Sequence, residues 1–185
     1  MITITKAEPQ HAAAIAPLIV DAIGSIANRL TAQTEPTLVE QTLQTLIQQT
    51  NSRHSYEHTF VALEHNNVVG IAVLYDGKTG RTLDRQLEAF LRSEGRPVTI
   101  DVEAHDDEFY IDTICVAENV RGKGVGSQLL AFAEDEAKRR GFAKISLNVE
   151  VEKMRARQLY EHVGYRITEP WTIIDEPFHH MVKHL

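Results

Sequence analysis

Phe109-Tyr110-Ile111-Asp112-Thr113-Ile114-Cys115-Val116, then Ala117-Glu118-Asn119-Val120, then Arg121-Gly122-Lys123-Gly124-Val125-Gly126-Ser127: the reading turns on this stretch. Phe109 to Val116 is a continuous β-forming run, the pattern of a strand covered on both faces. Ser127 then opens a helix whose apolar stripe is Leu129, Leu130, Phe132, Ala133 and Ala137. Lys138-Arg139-Arg140-Gly141 stops it, with cations in the last turn and a glycine just beyond. Strand, glycine loop and helix together make an anion site. Glycine lets the backbone approach a ligand, and the first-turn N–H groups of a helix have no intrahelical partner. The helix dipole adds about 0.3–1 kcal/mol for a negative charge at an exposed end. Arg121 and Lys123 add full charges beside it, so a diphosphate is the natural guest.

Two nucleotide patterns fit poorly. A P-loop needs Gly-x-x-x-x-Gly-Lys-Ser/Thr, which this loop does not supply. A dinucleotide fold needs Gly-x-Gly-x-x-Gly and an acidic residue about 20 positions on. Here the spacing after Gly124 is wrong, and the next strand carries Asn148. Taken alone the glycines are also compatible with ordinary loop chemistry, so the flanking sequence decides.

Working outward, Ala143 to Val149 reads as a strand, and Met154 to Val163 as a helix capped by Gly164. Tyr165 to Thr168 and Phe178 to Leu185 read as further strands. Upstream, Ile2 to Lys6 alternates like a strand. Ala12 to about Arg29 carries one apolar stripe at helical spacing. A second helix starts near Pro36, where proline loses no useful bond, with Leu38, Leu43, Leu46 and Ile47 as its buried face. Thr59–Leu63 and Val68–Leu74, joined through Asn66-Asn67, form an antiparallel hairpin. Asp76-Gly77-Lys78-Thr79-Gly80 ends it as a turn, Arg81 to Arg92 suits a short helix, and Glu94 to Asp107 reads as a loop. Nothing repeats and nothing marks a boundary, so residues 1–185 read as a single domain.

The bulk properties narrow the function. The chain has 185 residues, 43% of them hydrophobic, which is a globular composition able to bury a core unaided. Nineteen basic against twenty-six acidic residues give a net charge of −7, unfavourable for nucleic acid and better matched to a cationic partner such as an amine. The single cysteine, Cys115, excludes an internal disulfide and fits a reducing compartment. No apolar run approaches a membrane span, and the N-terminus lacks the pattern of a signal peptide. The expectation is a cytoplasmic protein with no membrane partner.

These residues resemble the GNAT superfamily, the acyl-CoA N-acyltransferases. Arg121, Gly124 and Gly126 match its Arg/Gln-x-x-Gly-x-Gly/Ala motif, placed after a central strand and opening a helix. Ala156, Leu159, Tyr160, Gly164 and Tyr165 match its second signature, Ala-x-x-Leu-Tyr-x-x-x-Gly-Phe/Tyr. The specific match covers roughly residues 109 to 167. The resemblance implies a mixed α/β fold. Its twisted sheet has six or seven strands, with helices flanking it and two central strands splaying apart around a pantetheine arm. It implies acetyl-CoA, or another short acyl-CoA, as donor, with no metal. The acceptor would be an amine on a small molecule or peptide, and a homodimer is left open. A catalytically idle CoA-binding regulator on the same fold is the alternative. Two positions depart from the pattern: Lys153 stands where asparagine is usual, and Asn148 where some relatives place a glutamate base.

The same resemblance assigns the site. Ile114, Cys115 and Val116 hold the pantetheine arm, with the Val116 N–H toward the thioester carbonyl. Arg121, Gly122, Lys123, Gly124, Val125, Gly126 and Ser127 hold the diphosphate. Tyr160 gives a proton to the departing thiolate. Acyl transfer also requires a neutral amine, and a lysine-like ammonium has a pKa of about 10.4, so a base is needed. Asp112 is the leading candidate for that base, or for binding the ammonium, because an unpartnered charge inside an apolar strand is expensive. A structural ion pair is the competing reading. Tyr110 shares its strand parity and therefore its face. Cys115 is expected to be a buried small hydrophobe and no nucleophile. His54/His58 and His180/His184, each four apart, lack the Glu of His-Glu-x-x-His and read as surface histidines, with His179 or His180 within reach of the acceptor pocket from the last strand.

Overall fold

The computed structural model describes all of residues 1–185. The edge strand β1 (Ile2–Lys6) leads into helix α1 (Ala12–Ile23), which buries Ala12, Ile15, Ala16 and Ile19. The stripe does not continue as one helix to Arg29. Gly24, at φ 54° and ψ −125°, breaks it, and a separate short helix α2 (Ile26–Thr31) follows. Residue α-helical spacing is preserved across the break in sequence, which hides it from a periodicity reading. Helix α3 (Pro36–Gln48) starts where expected, with the Glu35 carboxylate accepting the Leu38 N–H. Its buried face is Val39, Leu43, Leu46 and Ile47, whereas Leu38 lies one position off that stripe and is exposed.

Strands β2 (Thr59–Glu64) and β3 (Asn67–Asp76) form the expected antiparallel hairpin. His65 and Asn66 turn it with φ of 50° and 64°, the positive pair that a tight hairpin needs. Asp76-Gly77-Lys78-Thr79-Gly80 is not a turn but the start of α4 (Gly77–Ser93). The Asp76 side chain caps that helix by accepting the Thr79 N–H at 2.9 Å. The glycine at 77 serves a close approach, since a Cβ there would lie 2.0 Å from the His105 carbonyl oxygen.

The second half is β4 (Phe109–Val116), α5 (Val125–Arg139), β5 (Lys144–Glu150), α6 (Met154–His162), β6 (Arg166–Ile173) and β7 (Glu176–His184). Strand β6 runs well past Thr168, through Pro170. It is the outer strand of the sheet, where a missing N–H on the open side breaks no ladder.

All strands join one 7-stranded sheet in the order β1-β2-β3-β4-β5-β7-β6. Only β4 and β5 are parallel, and they pair over just Phe109–Ile111 against Ile145–Leu147 before diverging. That divergence is the splay that the resemblance implies. Helix α5 covers one face, where Leu129, Leu130, Ala133 and Ala137 pack on Phe109, Ile111 and Leu147. Helices α1 and α3 cover the other, packing Ile15, Ile19, Leu43 and Ile47 on Val61, Ile71 and Cys115. Burying a side chain of this size contributes about 1.5–3 kcal/mol, so the two clusters hold the central strands from both sides. No helix is long and apolar enough to cross a membrane.

Between β3 and β4 the register slips: Val73 faces Thr113, but Leu74 faces Ile111. Asp112 is therefore the extra residue of a β-bulge, directly after Ile111, the last residue of β4 paired with β5.

Candidate functional site

Beyond Ile111 and Leu147 the unpaired strands enclose a wedge-shaped cavity of about 300 Å³. Ile23, Ile26 and Leu30 wall one side, Ile173 and Phe178 another, and Ala156 and Tyr160 of α6 a third. Ile114, Cys115, Val116, Arg121, Asp112 and Tyr160 all line it, so two stretches far apart in sequence meet there. Backbone polarity follows from the ladder. The Ala117 N–H bonds the Val69 carbonyl at 2.9 Å, on the β3 side. Alternation then turns the N–H groups of Ile114 and Val116 away from β3, toward the wedge. The Val116 carbonyl, pointing the same way, accepts from Arg121 Nε at 3.0 Å.

The glycine loop lies at the wedge's open end. Gly122 and Gly124 have φ of 77° and 81°, in the left-handed region where a side chain is strained. Gly124 is the N-cap, so α5 begins at Val125, two residues before the expected Ser127. The backbone N–H groups of Gly122, Lys123, Gly124, Val125, Gly126 and Ser127 make no hydrogen bond within the chain. The first intrahelical bond is Gln128 N–H to the Gly124 carbonyl. A row of unpaired N–H groups at a helix N-terminus is a cradle for phosphate oxygens. Lys123 is exposed beside it, and the Arg121 guanidinium forms an ion pair with Asp21 across the rim.

At the closed end, a polar cluster surrounds Arg53, a buried residue in the connection between α3 and β2. Its guanidinium meets Asp112 (2.9 Å), Glu103 (3.0 Å) and, more loosely, Asp84 (3.7 Å), and it also donates to the Tyr75 hydroxyl at 2.8 Å. Asp112 accepts further from the Thr113 hydroxyl (2.7 Å), from Tyr75, and sits 3.3 Å from His54 Nε2. Burial alone would push the Asp112 carboxyl up, but Arg53 and His54 outweigh it and hold the carboxyl well below the usual range. Asp112 is thus ion-paired with Arg53 in the structure, the arrangement that the competing reading describes. A carboxylate held this strongly ionised is a poor proton acceptor at neutral pH. Tyr110 does share its face, and its hydroxyl donates to Glu103 at 2.7 Å.

Asn148 is not a proton acceptor either; it is a connector. Its amide donates to the Glu103 carbonyl (2.8 Å) and the Tyr110 oxygen (3.3 Å), and its carbonyl meets His180 Nδ1 at 2.6 Å. The other His180 nitrogen meets Glu108 at 2.9 Å, and the Trp171 ring stacks on the imidazole at 4.5 Å. The surface reading of the histidines fails for His54 and His180, both fully buried: Asn148 and Glu108 receive the ring nitrogens of His180, while His54 lies against Asp112 without a hydrogen bond. Neither His179 nor His180 lines the wedge; Asn148 stands in front of His180. His105, Glu108 and His180 bring donor atoms within 4.8 Å of one another. Those atoms already bond each other, Asn148 and Glu169, so the cluster is a filled hydrogen-bond relay.

On α6, Tyr160 is half-buried, its hydroxyl makes no hydrogen bond within the chain, and burial pushes its phenol up. That differs from a core tyrosine whose hydroxyl is satisfied by backbone. Lys153 begins the same helix and reaches across the rim to the Ala22 carbonyl (3.4 Å) and Glu150 (3.3 Å). The Cys115 thiol donates to Asp21 at 3.5 Å, and burial together with that carboxylate pushes it up to about 11, which keeps it a thiol.

Arg53 and Glu103 line the wedge, and sequence reasoning misses both. Arg53 stands in Asn51-Ser52-Arg53-His54-Ser55 and Glu103 in a polar loop, both of which read as solvated. No periodic or motif signal marks either one.

With this geometry in place, comparison with known proteins is decisive. Residues 25–165 match the model of the acetyltransferase (GNAT) family. The chain belongs to the GNAT acetyltransferase family. A chloroplastic GCN5-related N-acetyltransferase of Arabidopsis thaliana is 29% identical over 97 residues, covering 48% of this chain and 34% of the relative. The curated relatives are matched over only 30% to 63% of their own lengths. Among solved structures, an acetyltransferase is 28% identical with a TM-score of 0.80, covering 98% of both chains. An N-acetyltransferase from Staphylococcus aureus Mu50 shares the fold at 23% identity, with a TM-score of 0.81 over 97% of this chain and 99% of its own.

Proposed function

We propose that this GNAT chain transfers an acetyl group, or another short acyl group, from its CoA thioester to a primary amine on a small molecule or peptide. The observation that carries the reading is the unpaired N–H row from Gly122 to Ser127, opening directly into the wedge between β4 and β5. The N–H row, with Lys123 and Arg121, would hold the donor's diphosphate. The Ile114–Val116 edge would bind the pantetheine arm, with the Val116 N–H available to a thioester oxygen as it gains negative charge. Tyr160 would give its proton to the departing sulfur. Its unbonded hydroxyl favours this role over that of a catalytically idle CoA-binding protein.

The test is thermal shift with acetyl-CoA, ATP and NAD, followed by CoA release with primary amines. A ligand at 100 times its Kd stabilises the native state by about 2.7 kcal/mol, which acetyl-CoA alone is expected to approach. Gly126→Glu is expected to abolish that shift. The new Cβ would lie 3.6 Å from Val116 Cγ2, an ordinary contact, and an acid in a helix's first turn favours the helix itself. Lost binding in this variant therefore reports repulsion of the diphosphate. Stabilisation by ATP or NAD without acetyl-CoA would overturn the proposal.

A further inference from the structure

Direct transfer leaves one group unassigned, the acceptor of the amine proton. Asp112 is saturated with donors and its side chain is only 4% exposed. Asn148 is an amide, and His54 and His180 do not line the wedge. Glu103 does line it, at the closed end, with its side chain 11% exposed. It comes from the segment between α4 and β4, and Asn148 and Tyr110 hold it there through its carbonyl and its carboxylate.

We propose that Glu103 takes the proton from the acceptor's ammonium, an inference that rests on the N-acyltransferase reading of the same wedge. The cluster sets one guanidinium, Arg53, against the carboxylates of Asp84, Glu103 and Asp112. Buried charge of one sign in excess is unfavourable, and a cation or a proton relieves it. An arriving ammonium supplies both in turn. Asp112 accepts from two hydroxyls and also lies against Arg53 and His54, whereas each Glu103 oxygen has one partner, Arg53 at 3.0 Å on Oε1 and Tyr110 at 2.7 Å on Oε2. Glu103 is thus the less firmly held anion of the pair that shares Arg53.

The step balances as follows. An ammonium N–H bond breaks and a Glu103 O–H bond forms. The freed amine lone pair makes the C–N bond at the thioester carbonyl, and the C–S bond breaks as Tyr160 protonates sulfur. The second amine proton restores Tyr160 through solvent, and the Glu103 proton leaves to solvent. The charges around Glu103 are consistent with this division. Burial, aided by the Asp112 and Asp84 charges and opposed by Arg53 and the Tyr110 hydrogen bond, leaves Glu103 pushed up to about 7. Two carboxylates driven apart in this way mark separate acid–base roles. The groups facing Glu103 are Arg53, Asp84 of α4, Tyr75 of β3, and Tyr110 and Asp112 of β4.

The experiment uses the whole chain, saturating acetyl-CoA, and 2-phenylethylamine, spermidine and a lysine-bearing peptide as acceptors. CoA release is followed from pH 5.5 to 10. Wild-type kcat is expected to rise through about pH 7 and level off. Glu103→Gln is expected to lower kcat at pH 7 by roughly 10²–10⁴-fold and lose that inflection. Its rate then climbs about tenfold per pH unit toward the amine's own pKa of about 10.4, so the deficit narrows in alkali. The acetyl-CoA melting shift stays as in wild type. A variant that keeps the inflection, or that is slowed equally at every pH, overturns the proposal. If Glu103→Gln does not fold, Glu103→Asp is expected to keep the inflection with reduced kcat, and its disappearance would be as damaging. A wild type that acetylates an amine without an inflection near pH 7 sinks this inference alone, and one that binds acetyl-CoA but acetylates none of the amines sinks the transfer reading with it. One that does not bind acetyl-CoA sinks the acyltransferase reading first.

Discussion

Asp112→Asn separates the structural and catalytic parts of the buried cluster. The substitution is nearly isosteric, so it opens no cavity; it removes the charge and half of the acceptor capacity. Arg53, Tyr75, Thr113 and His54 all address the carboxylate, and an amide must turn its NH₂ toward some of them. Breaking a buried pair by removing one partner costs about 3–5 kcal/mol. Arg53 would keep Glu103 at 3.0 Å and Asp84 at 3.7 Å, which favours the lower end. At roughly 2–4 °C per kcal/mol for a chain of this size, the melting temperature is expected to fall by about 6–12 °C at pH 7. The pH dependence has a definite sign. The folded carboxyl titrates below its unfolded value of about 3.9, so its stabilisation is present above that pH and lost as pH falls through the folded value. The gap between wild type and variant, read by urea titration, narrows as pH falls below about pH 4. Kinetics give a second reading. The Asp112 charge helps raise Glu103, so the variant's kcat inflection moves below the wild-type position but survives. Wild-type melting would refute the ion-pair role, and an inflection that vanishes here but persists in Glu103→Gln would make Asp112 the base.

Tyr160→Phe keeps the ring packed near Tyr165 and removes only the hydroxyl, so kcat is expected to fall within roughly 10²–10⁴-fold with acetyl-CoA affinity unchanged; equal turnover, with chemistry shown to limit the rate, would return Tyr160 to packing alone. Gly77→Ala forces a methyl to 2.0 Å from the His105 carbonyl, and the strain is expected to destabilise the chain by about 1–3 kcal/mol in urea titration, with unchanged stability disproving the contact.

The cradle and the wedge differ in how far the sequence reveals them, and range is the reason. Gly122 to Ser127 works through its own backbone, so a contiguous stretch carries the whole signal. The hairpin and β4 are likewise local patterns, and their bounds agree closely with the strands observed. Elements fail where a residue has two local meanings. Asp76 reads as a turn former and acts as a cap, and Gly24 interrupts a stripe whose spacing continues across it. The strand expected to end at Thr168 continues through Pro170, which falls on an outer strand. The Arg53 cluster is another matter, because its partners come from separate elements and only folding brings them together. Sequence cost alone marks Asp112 as needing a partner; it does not say which one, and Glu103, lying in a polar loop, carries no cost to notice.

The bulge at Asp112 ties the two ends of the site together. In an unbroken strand, Phe109, Ile111, Thr113 and Cys115 would share one face. Instead Phe109 and Ile111 pack beneath α5 together with Ile114 and Val116, while Cys115 packs against α1. One extra residue has moved the outer part of β4 to the opposite parity. The same slip decides which N–H groups face the wedge, because backbone direction alternates with side-chain direction. Without it, the outward N–H groups would belong to Thr113 and Cys115, and Val116 would present its N–H to β3. The extra residue itself must put its side chain somewhere, and Asp112 puts it on Arg53. Charge at the closed end of the wedge and an open N–H at its edge are therefore two consequences of one insertion, and a change that removes the bulge would alter both at once.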